Sequence, residues 1–439
     1  MLILLGCIGT FAALAYLVVR TKHPRRFLLS DSFYLGVVIF FVGAVISAYR
    51  KPMDGIGNQV VLLSTLALIS CTFAAMLLRP YCRNLEARRG PPSSVRAEFA
   101  IGTTMFLVLF NFGFIYLVYS KLFGGSFDVL SKEGGLLDVR LMIASGSHGY
   151  FFPGLIKQVR DIFAPIFIYY LLAYAPSGRY KILLGAVVAS TFAAILIGGQ
   201  RTPLLVVAYA LFMGFRARKR ASNNPAKRRP HRMRVILGGL LCVATLGLVN
   251  QLLGRASLDS SLVEMISESA VGIFERIVVL VPLSNVEAYD FVMDHHFGPG
   301  ALWLDGLSGF LPGTQVGLNN EMHEYLYGRA GGNAVLGFPV SVFVNFGYMG
   351  LVLAPMIAMA FMVWLDRFCT RVGSRLVLSA RVIMLIYLPI AYSPATFLLS
   401  GGLMLLTIMA STLIYYRHPV RSQALGQAPQ SPNPVQQEK

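Results

Sequence analysis

The stretch NNEMHEYLYGR holds the side chains best suited to moving a proton. His323 lies in its middle, with Glu321 and Glu324 beside it. Histidine and carboxylates near one another suit general acid–base catalysis, because such a group can take a proton from a hydroxyl. A helix over this stretch would put Asn320, His323 and Glu324 on one face. We therefore take His323, Glu321 and Glu324 as candidate catalytic residues.

Arg201 is the first of four arginines that can hold an anion, since the planar guanidinium group matches the oxygens of a phosphate. It lies in GGQRTP, between two apolar runs with almost no connection. Residues 181–215 are barely long enough for two membrane crossings at about 1.5 Å per residue. The turn between the two crossings, which carries Arg201, is therefore expected at or below the membrane surface. An ionisable residue there is a functional candidate, and the alternative is an arginine that reaches lipid phosphates.

Arg160 is the second anion-binding candidate, and it lies between Lys157 and Asp161. Only apolar residues follow at 162–175, and this run is too short to cross a membrane, so a spanning helix must include the charges. A pair of Lys157 with Asp161 at helical spacing would leave Arg160 for an anion. A purely structural pair is an equal alternative.

Arg255 and Arg276 complete the set of anion-binding candidates. Residues 258–281 have a helical pattern that places several glutamates near Arg276. Either arginine can instead be a solvated partner of such a glutamate, which is the more frequent case for a single arginine.

No motif for a metal or a nucleotide occurs in the sequence. It has no HExxH, CxxC or P-loop, and no GxSxG or strand-to-helix GxGxxG. None of the five cysteines lies in the large polar segment 255–338. Neither a cofactor nor a disulfide framework is therefore expected.

The composition is that of a protein in lipid. Of the 439 residues, 56% are hydrophobic and 13% are charged, whereas soluble domains carry about 25% charged residues. Apolar runs near the length of a membrane-spanning helix recur along the chain. They predict an all-α polytopic membrane protein with about eleven transmembrane helices, at residues 1–19, 27–49, 59–78, 99–119, 154–175, 181–197, 202–215, 235–252, 339–365, 376–392 and 395–416.

The basic residues between these spans predict the orientation of the chain. One side holds 26 of the 38 lysines and arginines and the other 11, while Arg381 lies within a span, where it can snorkel to the surface. The positive-inside rule makes the basic side cytoplasmic, with the N-terminus outside and the C-terminus inside. Basic charge placed in this way is a topology signal, so nucleic-acid binding is not expected.

Four parts of the chain follow from this topology. Transmembrane helices 1–8 occupy residues 1–252, and helices 9–11 occupy 339–416. Between them lies a large, partly helical outer loop, 253–338, and a disordered cytoplasmic tail follows at 417–439. From residue 255 to 338 the loop carries ten carboxylates and three arginines, a net charge of −7.

Four short motifs occur in a recognisable order. They are a G-x-R-[ST] turn between two close spans (199–202), Arg276 followed some twenty residues later by F-G-x-G (297–300), an H-x-x-L segment late in the loop (323–326), and an N-F-G-x-x-G stretch in the next span (345–350). In this ordered set, over about residues 150–420, the chain resembles the bacterial O-antigen polymerase (Wzy-type) and O-antigen ligase superfamily. The ligases commonly have His-Asn where this chain has His323-Glu324, which favours a polymerase.

The resemblance implies a GT-C-like membrane glycosyltransferase of the bacterial inner membrane. Such an enzyme would transfer a glycan from undecaprenyl pyrophosphate to the non-reducing end of another lipid-linked repeat unit, at the periplasmic face, without a nucleotide sugar or a metal. The partners implied are undecaprenyl-pyrophosphate-linked oligosaccharide, membrane lipids and a chain-length regulator protein. An O-antigen ligase and a lipid-linked oligosaccharide flippase remain the alternatives.

The candidate residues fit this chemistry. A pyrophosphate leaving group needs positive charge, which Arg201, Arg276, Arg160 and Arg255 would supply, and the acceptor hydroxyl needs a base such as His323, Glu321 or Glu324. Because the loop is acidic, it cannot hold a pyrophosphate alone. We therefore expect the site at a seam between the loop and the spans.

Overall fold

The computed structural model describes residues 1–21, 28–50, 55–83, 159–174, 180–198, 202–221, 263–264, 267, 271–272, 274–294, 318–328, 334–372 and 374–389. Every regular element in these residues is helical, and none of them forms a strand, so the all-α prediction is confirmed for this part of the chain. The helices are α1 (Leu2–Thr21), α2 (Leu29–Arg50), α3 (Ile56–Arg83), α4 (Ala164–Tyr174), α5 (Tyr180–Gly198), α6 (Thr202–Ala221), α7 (Val281–Glu287), α8 (Tyr289–Asp294), α9 (Leu318–Tyr327), α10 (Phe338–Val372) and α11 (Arg375–Tyr387). Two π-turns precede α4 and α7, the first at Val159–Phe163 and the second at Glu275–Leu280.

Three helices are long and apolar enough to cross a membrane: Leu29–Arg50, Ile56–Leu78 and Phe338–Arg371, with mean hydropathies of 2.0 to 2.3. Apolar side chains remain exposed on them, as expected of surfaces that face lipid. The described helices fall on eight of the eleven predicted spans. The predicted spans 99–119, 235–252 and 395–416 lie outside the described residues, as does the tail 417–439.

The helices pack into two hydrophobic clusters. The first cluster contains α1, α2, α3 and most of α10, with buried residues of α7, α8 and α9. The second contains α4, α5, α6 and α11. The last turns of α10 and the first residue of α2 contribute to the second cluster, so these two helices connect both halves of the packing.

Helix α10 is a hairpin and not one straight span. The ring of Phe338 lies 5.1 Å from that of Phe33, and Asp366 accepts a hydrogen bond from the backbone of Leu29, only four residues from Phe33. A straight helix would separate residues 338 and 366 by about 42 Å. The chain reverses at Gly347, whose φ of 62° and ψ of −158° are accessible only to glycine. The predicted single span 339–365 was therefore wrong in shape.

The second leg of α10 is still long enough to cross a membrane. Residues 348–371 correspond to about 36 Å of helix, more than a hydrocarbon core of about 30 Å. The legs touch where a Cβ on Gly350 would lie 3.2 Å from the carbonyl oxygen of Val342. The N-F-G-x-x-G stretch thus forms the apex of this hairpin, because its first glycine allows the reversal and its second allows the close contact.

Part of the large loop packs against the middle of α2. A Cβ on Gly43 would overlap the carbonyl oxygen of Val278, so only glycine permits this contact. Asn285 then joins two parts of the loop: its Nδ2 donates to the carbonyl oxygen of Val335 (3.0 Å) and its Oδ1 accepts from the backbone of Gly337 (2.8 Å). The loop is therefore integrated with the apolar helices as well as covering them.

Candidate active site

Helix α9 carries the three candidate catalytic residues, so the stretch that the sequence analysis considered as a helix is one. Met322 is fully buried in the first cluster and Leu318 nearly so. Their spacing of four residues places them on one face of the helix. Glu321 and Glu324 are exposed, while His323 is half-buried. The buried face therefore anchors α9 in the first cluster and leaves the two glutamates exposed.

Aromatic contacts orient α9 relative to its neighbours. The rings of His323 and Tyr327 are 4.8 Å apart between centroids, and Tyr325 stacks on Phe291 of α8 at 4.7 Å. Such offset pairs add roughly 0.5–1.5 kcal/mol beyond the area that they bury. The imidazole of His323 thus lies on the same helix as a ring stack that fixes α9 against α8.

Helix α8 carries a phenol that stays protonated. Burial raises the pKa of Tyr289, and the nearby Tyr348 and Asp290 act in the same direction. The Tyr289 hydroxyl is therefore a hydrogen-bond donor at neutral pH.

Arg276 belongs to the second π-turn, which packs on α2. It lies two residues before Val278, whose carbonyl oxygen contacts Gly43. A π-turn widens the helix by one residue and often occurs at functional sites. The backbone therefore places Arg276 beside the middle of α2, on the same cluster that anchors α9.

Arg160 lies in the first π-turn and is buried. Its Nε and Nη2 donate to the two carboxylate oxygens of Asp161, at 2.6 and 3.2 Å. Asp161 thus has Arg160 as a bidentate partner, and the hypothesis that Arg160 is left over for an anion was wrong. An anion at this site would have to share the guanidinium group with Asp161.

Two of the four candidate arginines, Arg201 and Arg255, lie outside the described residues, as does Lys157. The structure does show that α5 ends at Gly198 and α6 begins at Thr202. Only three residues, including Arg201, connect these helices. The short connection that the sequence predicted is therefore confirmed, whereas the place of the Arg201 side chain stays a prediction.

The described candidates do not all meet in one place. The helix of His323 and the π-turn of Arg276 pack on the first cluster, whereas Ile162 and Phe163, next to Arg160 and Asp161, belong to the second cluster. His323 and Arg276 are thus the pair that the structure brings to the same group of helices.

A buried ion pair that the sequence did not predict links α10 to α11. Nε of Arg381 donates to Oδ1 of Asp366 at 2.5 Å, and both residues are at least nine-tenths buried. The other carboxylate oxygen of Asp366 accepts from the backbone N–H of Leu29 at 2.6 Å. The prediction that Arg381 snorkels was therefore wrong. A charged residue inside an apolar run, such as Arg381, needs a partner of opposite charge. The sequence offered Asp366, at the end of another apolar run, as a candidate for this partner.

A second carboxylate completes the start of α2. Oδ2 of Asp31 accepts from the backbone of Leu28 (2.7 Å), and Oδ1 accepts from the hydroxyl of Tyr16 (2.6 Å). The first N–H groups of a helix have no partner within the helix, and Asp31 and Asp366 satisfy two such groups at this end of α2. These side chains position helices and are distant in sequence from the acid–base residues of α9.

Among the residues that the structure describes, no three His, Cys, Asp or Glu side chains form a group that could hold a metal ion. No protein-family model, no curated protein and no solved structure matches this chain. The resemblance to the O-antigen polymerase and ligase superfamily therefore depends on the ordered motifs.

Proposed function

We propose that the protein is a membrane-embedded glycosyltransferase that polymerises polysaccharide repeat units, similar to the Wzy-type O-antigen polymerases. The observation that carries this proposal is the position of α9. Met322 and Leu318 anchor it in the core of the apolar helices, while Glu321 and Glu324 are exposed and His323 is half-buried. A lipid-linked substrate needs its reacting groups at such a boundary between the membrane helices and solvent.

The proposed reaction transfers a glycan from undecaprenyl pyrophosphate to another lipid-linked repeat unit. His323, or one of the two glutamates, takes the proton from the acceptor hydroxyl, and the oxygen forms a bond to the anomeric carbon of the donor. The bond from that carbon to the pyrophosphate oxygen breaks with inversion. Arg276 and Arg201 stabilise the negative charge that develops on the leaving pyrophosphate.

The proposed architecture is a GT-C-like bundle of about eleven spans in the bacterial inner membrane. Its N-terminus and loop are periplasmic and its C-terminus is cytoplasmic, in accord with the basic residues of the inner segments. No metal and no nucleotide sugar takes part, and a chain-length regulator is a proposed partner.

The decisive experiment incubates purified protein in nanodiscs with undecaprenyl-pyrophosphate-linked repeat units. A ladder of longer glycans is expected. His323→Ala should lower its rate by about 10²- to 10⁴-fold, the usual contribution of a general base, and Arg276→Ala should abolish elongation. Arg367→Ala is the matched control, because Arg367 binds the carbonyl oxygen of Tyr81, far from α9 in the sequence. Full activity of both site variants would contradict the assigned roles.

Glu321→Gln and Glu324→Gln separate the possible bases. If one of these variants loses as much polymerisation rate as His323→Ala, its carboxylate acts together with the histidine.

The two alternative functions can be distinguished from a polymerase by other assays. Complementation of a ligase-null strain, and not of a polymerase-null strain, would indicate an O-antigen ligase. Movement of lipid-linked oligosaccharide between leaflets without longer glycans would indicate a flippase.

A further inference from the structure

Aromatic rings of α8 and α9 form a surface beside His323. Tyr325 stacks on Phe291, with ring centroids 4.7 Å apart and an angle of 17° between the planes. Tyr327 follows one turn after His323, with centroids 4.8 Å apart. Despite these contacts, Tyr325 and Tyr327 keep 58% and 50% of their surface exposed. We call the exposed rings of Tyr325 and Tyr327, together with the supporting ring of Phe291, the aromatic platform.

The formally charged side chains of α8 and α9, which surround this platform, are all carboxylates. Asp290 and Asp294 on α8 and Glu321 and Glu324 on α9 are exposed. From residue 277 to 328 the sequence contains no lysine or arginine. A charge pattern of one sign repels anions and attracts neutral or cationic groups. The carboxylates therefore disfavour an acidic sugar on the platform, and the arginine candidates for the pyrophosphate lie outside α8 and α9.

We propose that the aromatic platform binds the acceptor glycan, and that it selects neutral or amino-bearing sugars over acidic ones. This inference rests on the proposed function and names its acceptor class. The apolar faces of sugar rings lie flat on exposed aromatic rings, and carboxylates accept hydrogen bonds from hydroxyl or ammonium groups. Because His323 adjoins Tyr327, a glycan on the platform brings a hydroxyl close to the candidate base.

A lipid surface is the other occupant that aromatic side chains can have, since tyrosines anchor proteins at membrane interfaces. The charges disfavour it. The four exposed carboxylates of α8 and α9 disfavour contact with anionic lipid headgroups, whereas they do not repel an uncharged glycan. The stacking of Tyr325 on Phe291 also joins α9 to α8, which gives a preformed surface.

The test measures binding of three soluble hexasaccharides to the full-length protein in nanodiscs by saturation-transfer NMR. Maltohexaose is neutral, a chitosan hexamer carries amino groups, and hexagalacturonate carries carboxylates. We expect binding of the first two and none of the third. Tyr325→Ala should weaken binding roughly three- to ten-fold through the lost ring. Tyr49→Ala, which removes an exposed tyrosine of α2 that belongs to none of these contacts, should leave it unchanged.

A charge-reversed variant tests selectivity without removing a ring. Asp290→Lys combined with Asp294→Lys should admit hexagalacturonate. Tyr327→Ala supplies a second ring variant if Tyr325→Ala does not elute as a single species. Absence of neutral-glycan binding, preference for hexagalacturonate, or unchanged binding in both ring variants would overturn the proposal. Glycan selectivity without polymer formation would contradict the polymerase alone, and polymer formation without selectivity would contradict the platform alone.

Discussion

Single residues decide where the buried charges of this protein lie. Asp366 satisfies two donors at once, the guanidinium of Arg381 and the backbone N–H of Leu29. Removal of one member of a buried ion pair leaves the other charge without compensation, whereas removal of both costs much less. The pair therefore stabilises the arrangement of α2, α10 and α11 as a unit.

This coupling gives a prediction at the residue scale. Asp366→Asn and Arg381→Met should each lower the free energy of unfolding by about 3–5 kcal/mol, because each leaves a buried charge unpaired. The double variant should lose clearly less than the sum of the two, as measured by denaturation in detergent micelles. Arg367→Met, which removes hydrogen bonds of a partly exposed arginine to Tyr81, should cost about 1 kcal/mol. Strict additivity in the double variant would contradict the coupling.

At the scale of elements, the α10 hairpin is the feature on which the site depends. Its first leg begins beside Phe33 of α2, next to the 334–337 segment that Asn285 holds. Its second leg returns along the first, since a Cβ on Gly350 would lie 3.2 Å from the carbonyl oxygen of Val342. The start of this hairpin thus connects the apolar helices to the loop that carries the acid–base helix.

Gly347→Ala tests this hairpin. A Cβ at φ 62° and ψ −158° is strained whatever the surrounding space, at a cost of about 1–3 kcal/mol. The variant should unfold at a lower temperature than the parent. Gly185→Ala is the matched control: Gly185 lies inside α5, and among the described residues no atom beyond its own stretch of helix lies within 4 Å of the position that its Cβ would take. The change should therefore be neutral or slightly stabilising. Equal unfolding temperatures of the two variants would argue against a required reversal.

At the scale of the whole molecule, two clusters of helices share α2 and α10. The first cluster carries α9 and the second π-turn, and the second cluster carries the Arg160–Asp161 pair. The Asp366–Arg381 pair lies where the clusters meet, since Leu29 and Leu365 belong to the second cluster while most of α2 and α10 belongs to the first. The ion pair therefore fixes the clusters relative to each other.

The proposed orientation in the membrane gives a prediction at this scale. In a variant without native cysteines, Glu324→Cys should react with a membrane-impermeant maleimide added to intact spheroplasts. Arg216→Cys, exposed on α6 within the basic inner segment, should react only after the membrane is permeabilised. The reverse pattern would invert the topology and place α9 on the cytoplasmic side, where no lipid-linked repeat unit would meet it. The native cysteines to be replaced are residues 7, 71, 82, 242 and 369.

The sequence by itself determined the helical class and the approximate positions of the eight described helices that fall on predicted spans. Each of these follows from the apolar pattern along a short stretch of chain, which is a local property. It also determined the short connection around Arg201, because the two apolar runs within residues 181–215 leave few residues between them once each run crosses the membrane.

Only the tertiary structure decided how the distant segments meet. The Asp366–Arg381 pair, the Asn285 contacts and the assignment of Arg160 to Asp161 join donors to acceptors whose pairing no local pattern specifies. The α10 hairpin likewise could not be predicted from the sequence, because an apolar run that contains a glycine is compatible with a continuous helix and with a reversal of the chain. A side chain's partner depends on which helices pack together, and that choice is made by the burial of whole faces and not by neighbours in sequence.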